Sequence, residues 1–281
     1  MNQFGQHLLS GLATIFCMFG LIANAPADEI ASKEPTTDTH PLLEPLRYAN
    51  LHCDYIEKNI RDYSCYIFKR ERMNGELQKA QCIQVQMRCA PSDGGRTDRP
   101  MAVFLNYLAP SSLRGRKVLY VEGKNNGMML VRKGGLSFNY VKLEIDPHGS
   151  AAKRESNYPI TDLGFDKMIQ RLIELVTNDM ENDPDATNTK VSYFRKAKVK
   201  DRVCTHIQVV HPNRVDGVEF HKASLFFDDT LHVPIRITVH DWPEREGMEP
   251  PLIEEYTYVN LQLNVGLTDA DFSKTKLDSP E

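Results

Sequence analysis

Residues 115–131 constrain the fold more than any other stretch. Two β-rich apolar runs, 118–121 and 128–131, flank a corner containing Gly123, Asn125, Asn126 and Gly127. Glycine and asparagine tolerate positive φ, so the stretch reads as strand, tight turn, strand. Similar units lie on both sides of it. The hairpin is therefore expected in the middle of a long antiparallel sheet.

The N-terminus reads as an address rather than as part of that sheet. Residues 8–22 form an apolar run, followed by Ala23-Asn24-Ala25, which has the small-x-small character of a signal-peptidase site. The run is short for a membrane span, and no Lys or Arg precedes it. Cys17 lies inside the run, away from the small residues, which argues against a lipoprotein anchor. The expected organisation is a signal peptide over residues 1–25, a disordered polar spacer over 26–40 and a single α+β domain over 41–281. The expected location is periplasmic or extracellular, with no transmembrane span after cleavage near Ala25.

The leader contains no Asp, Glu, Lys or Arg, so the net charge of −4 belongs to the rest of the chain. That balance gives no basic footprint for nucleic acid and no polybasic membrane patch. Beyond the leader stand Cys53, Cys65, Cys82, Cys89 and Cys204. An odd number without CxxC spacing argues against a disulfide framework or a zinc site and favours small buried hydrophobes.

Leu43, Leu46, Ala49, Cys53, Ile56 and Ile60 recur every three or four residues, predicting an amphipathic helix with Pro45 in its first turn. A hairpin follows. With Asn74-Gly75 as a two-residue turn, Met73 pairs with Glu76, Tyr66 falls opposite Ile83 and Ser64 opposite Val85. That register gathers Tyr66, Phe68, Ile83, Val85 and Met87 on one face, and leaves Cys65 and Cys82 as diagonal neighbours too distant for an unstrained bridge. Residues 101–108 are apolar at nearly every position, as in a strand covered on both faces. Another strand is expected over 136–145.

Thr161 or Asp162 is placed to cap a second helix whose stripe includes Phe165, Met168, Ile169, Leu172, Leu175, Val176 and Met180. Strands are then expected over 191–199, 203–210, 219–227, 233–241 and 253–263, with Val233, Ile235, Ile237 and Val239 facing inward. The predicted class is α+β: a curved, mostly antiparallel sheet, an incomplete barrel of roughly ten strands, with two amphipathic helices covering the concave face.

Several stretches resemble a known family of uncharacterised exported bacterial proteins, domain-of-unknown-function family fifteen-seventy-one. They are Tyr63-Ser64-Cys65, Lys69-Arg70-Glu71-Arg72 with Asn74-Gly75, Tyr120-Val121-Glu122-Gly123-Lys124-Asn125, and Asn157-Tyr158-Pro159-Ile160-Thr161. The resemblance runs from about Leu43 to Phe272 and implies no activity. A more distant likeness is to the lipoprotein-carrier fold, in which acyl chains enter the space between sheet and helices. It implies a binding role by analogy of fold.

The chemistry-bearing candidates reduce mostly to ordinary structure. Tyr66, Phe68, Val103, Leu105, Tyr107, Tyr120, Phe138 and Tyr140, closed over by Met168, Leu172 and Val176, form either the lining of a ligand cavity or a solid core. The acidic loop 178–185 has Pro184 where a calcium loop needs Gly and Lys190 where it needs a closing Glu, so it reads as a solvated turn. His206, His211, His221, His232 and His240 read as isolated surface or loop residues, and no HExxH is present. Glu122 with Lys124 and Asp228 with Asp229 read as turn charges. No phosphate loop, GxSxG or cysteine-protease signature occurs.

No cofactor, metal or catalytic residue is predicted. The expected role is an envelope protein binding a lipid or acylated ligand. The alternative is a scaffold with an envelope protein partner and a solid core, and a hydrolase comes last.

Overall fold

The computed structural model describes residues 40–90, 99–134 and 141–278. The expected leader, all of the spacer except His40, and both Phe138 and Tyr140 lie outside them.

Helix α1 (Leu43–Asn59) leads into β1 (Asp62–Met73), β2 (Glu76–Leu77), β3 (Gln81–Arg88), β4 (Ala102–Ala109), β5 (Lys117–Val121), β6 (Met129–Arg132) and β7 (Lys142–Ile145). A short α2 (Ser150–Lys153) and the long α3 (Phe165–Asn182) come next. The chain returns through β8 (Lys190–Val199), β9 (Arg202–Val210), β10 (Lys222–Asp228), β11 (Pro234–His240) and β12 (Leu252–Leu263). All twelve strands join one sheet in the order β7-β6-β5-β4-β3-β1-β12-β11-β10-β9-β8, with β2 beside β1. Every pairing is antiparallel, and β7 and β8 remain as edges, so the sheet is not a closed barrel. The predicted class holds, with more strands than expected and one extra short helix.

The corner between β5 and β6 does not lie in the middle of the sheet as expected: β6 and β5 are second and third, counting from edge strand β7, and β1 holds the middle. It is nonetheless built as its residues dictate. Gly123, Asn125, Asn126 and Gly127 take φ of 72°, 51°, 53° and 76°, and Leu119 pairs with Leu130 behind them. Asn74 and Gly75 likewise turn at φ of 50° and 82°, and Met73 pairs with Glu76 as the turn chemistry requires.

Beyond that turn the expected register fails. Arg72 pairs with Leu77, but Lys69 pairs with Gln81, so one extra residue is accommodated between Leu77 and Gln81. Within that stretch the Gln78 amide still donates to the Glu71 carbonyl at 2.9 Å. A one-residue offset sends each side chain to the other face. Ile67, not Tyr66, stands opposite Ile83, and Cys65 stands opposite Val85. The inner face of β1 is therefore Tyr63, Cys65 and Ile67, all buried, while Phe68 is turned outward and is 43% exposed.

The helices lie on that inner face. Phe165, Ile169, Ile56 and Cys53 join one core with Tyr63, Met87, Val103, Ile207, Ile235 and Tyr258. The Phe165 ring sits 4.7 Å from Tyr63 and 5.0 Å from Tyr258, centroid to centroid. Helix α3 starts later than its predicted cap. Residues Ile160–Asp162 form a 3-10 turn after Pro159, and the helix begins beyond Gly164 with Asp166 in its first turn.

Strand β4 is covered on both faces, as its composition requires. Its outer residues Ala102 and Phe104 pack with Leu119, Val121 and Leu130 beneath Leu267, Phe272 and Leu277 of the C-terminal segment. A reciprocal cap between Thr268 and Asp271 shapes that segment. All five described cysteines are free, with Cys53, Cys65 and Cys204 buried.

Candidate functional site: a hollow with one polar end

The core is solid at one end of the inner face and open at the other. Bordering the Tyr63–Phe165–Tyr258 contact through Tyr258 lies a cavity of about 630 Å³, enclosed by the sheet, α3 and the strap of residues 150–163. Its floor is Ile67, Ile83, Val85, Leu105, Val118 and Val131, one inward residue or two from each of five adjacent strands. These align in rows: Val85 faces Leu105, Leu105 faces Val118, and Val118 faces Val131. Met168, Leu172 and Leu175 of α3 form the roof.

Four of the residues singled out in the sequence, Leu105, Tyr107, Met168 and Leu172, line this space. Val103 and Tyr120 share the inner face but are buried in the solid core, and Val176 packs against that core. Tyr66 and Phe68 do not line the hollow. The extra residue after Leu77 inverts β1 relative to β3, placing them on the opposite face, where the Lys200 ammonium lies 5.3 Å from the Phe68 ring centroid.

The same inversion carries Lys69 and Glu71 inward, to 9% and 2% exposure. Sequence reasoning missed this site, although its signal was present. Lys69 and Glu71 have the same parity along β1 as Tyr63, Cys65 and Ile67. Glu71 stands directly opposite Glu254 on β12, and Lys69 opposite Tyr256. Burying such charges requires partners, and the strap supplies them. The Lys69 ammonium donates to Glu71 Oε2 and to Ser156 Oγ, both at 2.9 Å. The Tyr256 hydroxyl and Ser156 Oγ donate to Glu71 Oε1. The Tyr158 hydroxyl donates to Glu254 Oε1 at 2.8 Å, and Asn157 Nδ2 lies 3.4 Å from Oε2. From α3, the Arg171 guanidinium lies 4.7 Å from the centroid of the Tyr158 ring.

Burial sets the electrostatics of this end. It raises the Glu254 carboxyl above the ordinary carboxylate range, and the facing Glu71 pushes the same way. Burial also raises the Tyr158 and Tyr256 hydroxyls, with Glu254 reinforcing both. They act here as hydrogen-bond donors, not as acids.

Other candidates resolve into structure. His211 is fully buried rather than superficial, its Nε2 3.1 Å from Asp179 Oδ2. His206 is sandwiched between Phe194 and Phe226, and burial lowers its pKa. The acidic loop is not simply solvated. Asp179 is buried, and Asp183 accepts hydrogen bonds from Thr187, Asn188 and Thr189. Asp228 is likewise a buried turn residue, held by Arg202 and by the amides of Thr230 and Leu231. Among the described residues no grouping of His, Cys, Asp and Glu is arranged to hold a metal ion. Nor, among them, is any helix long and apolar enough to cross a membrane.

Residues 60–279 match a family described as a protein of unknown function, DUF1571. The chain belongs to the DUF1571 family. Two of the stretches that carried the resemblance, 69–72 and 157–161, are far apart in this DUF1571 sequence yet both line the hollow, through Lys69 and through Tyr158, Pro159 and Ile160. No curated protein matches the chain. Among solved structures it is similar to a DUF1329 family protein from Desulfovibrio piger, at 14% identity over 85% of this chain and 100% of that one, TM-score 0.37. It is also similar to lipoprotein LppX from Mycobacterium tuberculosis, at 10% identity over 80% of this chain and 98% of that one, TM-score 0.41. A LolA superfamily protein from Nitrosomonas europaea is similar at 13% identity over 82% of this chain and 98% of that one, TM-score 0.35.

Proposed function

We propose that the chain is an exported cell-envelope protein that binds an apolar or lipidated ligand between sheet and helices. The hollow carries this reading. Its volume of about 630 Å³ is that of a small-molecule site, its floor is aliphatic, and its polar and charged lining comes mainly from the strap and α3. The leader-like residues 1–25 support export. The test is native mass spectrometry and lipid extraction of protein purified from its own envelope. A bound acyl-containing mass is the expected result. Protein that carries no lipid and takes up no uncharged naphthylamine probe would overturn the proposal.

A second reading, a scaffold docking another envelope protein, is favoured by edge strand β8. There Tyr193 and Phe194 are 46% and 47% exposed. The irregular pairing between Phe194 and Ala197, and the Lys-rich sequence of β8, weigh against it, because both features blunt sheet edges. Loss of partner capture on replacing Phe194 with Lys, with lipid content unchanged, would favour the scaffold.

A further inference from the structure

The polar end does more than pin the strap. An ammonium has three donors, and Lys69 uses two of them, on Glu71 and Ser156, leaving one beside the apolar floor. Arg171 also lines the hollow, from the roof side, and is half exposed. It lies over the Tyr158 ring and is also drawn to that residue's hydroxyl and to Glu254. Its ion-pair partner Glu219 is 3.9 Å away, so part of its fork of donors remains available. Facing these cations are Glu71 and Glu254. Glu71 is saturated by Lys69, Ser156 and Tyr256. Burial favours the neutral form of Glu254. Arg116, Lys133, Arg154 and Lys167 also line the hollow, with Glu155, Asp162 and Glu174, so its six cations outnumber five carboxylates even with Glu71 and Glu254 both charged.

We infer that the hollow takes an acyl chain with an anionic end, the chain along Ile67, Val85 and Leu105 and the carboxylate or phosphate at Lys69 and Arg171. This rests on the hollow being a binding site and names the class of ligand it accepts. A neutral or cationic amphiphile of the same chain leaves the spare donors without an acceptor, or sets like charges together.

The test loads the full chain with the uncharged probe N-phenyl-1-naphthylamine. The probe is then displaced with palmitate, palmitoyl lysophosphatidate, hexadecanol or hexadecyltrimethylammonium. Palmitate or lysophosphatidate should displace it at concentrations about tenfold below hexadecanol, with the ammonium weakest. Which of the two anions wins distinguishes a free fatty acid from a phospholipid head. Arg171→Gln should erase most of that preference, and Arg171→Lys should keep part of it. Displacement without regard to head group, or an unchanged preference in Arg171→Gln, overturns the anionic-end inference but leaves the hollow as a binding site. A probe that never enters removes the hollow as a site, and this inference with it.

Discussion

Glu71 and Glu254 stand directly opposite each other on neighbouring strands, an arrangement that repels wherever both are charged. Burial adds to this and raises the Glu254 carboxyl above its ordinary value of 4.5. A raised acid binds its proton more tightly folded than unfolded, so it costs stability as pH rises from that ordinary value through the folded one. Replacing Glu254 with Gln removes this contribution. Thermal melts of both proteins from pH 4.5 to neutrality should show wild type losing stability relative to E254Q as pH rises. Asp183 and Asp228 behave oppositely, since hydrogen bonds from the loop and from Arg202 lower them despite burial. Their contribution is lost only as pH falls below 3.8, a separate acid limb common to both proteins. At this scale the sequence said little. Lys69-Arg70-Glu71-Arg72 looks like surface charge until pairing decides which parity faces inward.

That decision belongs to β1 and β3. The Asn74-Gly75 turn was legible, and so was the alternation of Ile83, Val85 and Met87. What escaped the reading was one residue between Leu77 and Gln81, because a bulge among Gln78, Lys79 and Ala80, none of them buried, leaves no mark in the apolar alternation. Deleting Lys79, an exposed residue in this stretch, would restore the register of the simple turn and drive Tyr66 and Phe68 inward. The expected outcome is loss of near-ultraviolet circular dichroism and of cooperative urea unfolding. Lys79→Ser should change stability by less than about 0.5 kcal/mol. For α3, the period of its apolar stripe was correct even though its start was misplaced, since Pro159 diverts residues 160–162 into a 3-10 turn. Ile169 on that stripe is fully buried against the sheet. Ile169→Ala should therefore cost about 2–5 kcal/mol in urea denaturation.

Across the molecule, the sheet and its helices enclose solid packing at one end and a hollow at the other, so the two readings of the apolar interior each describe part of it. Leu105 lies on the floor of the hollow, flanked by Val85 and Val118. Leu105→Trp should occupy that space at a stability cost within about 1–3 kcal/mol, with uptake of the naphthylamine probe abolished. Retained uptake would show that the probe binds elsewhere. Alternation, turn residues and the helical stripes are local, and they determined the antiparallel pairing, the corner between β5 and β6 and the two long helices, but not that corner's place near an edge of the sheet. Which parity of β1 faces the helices is settled only where distant strands pair. The tertiary structure alone brings Lys69, Glu71, Tyr158 and Glu254 together, because the burial that makes them a site depends on neighbours up to 185 residues away.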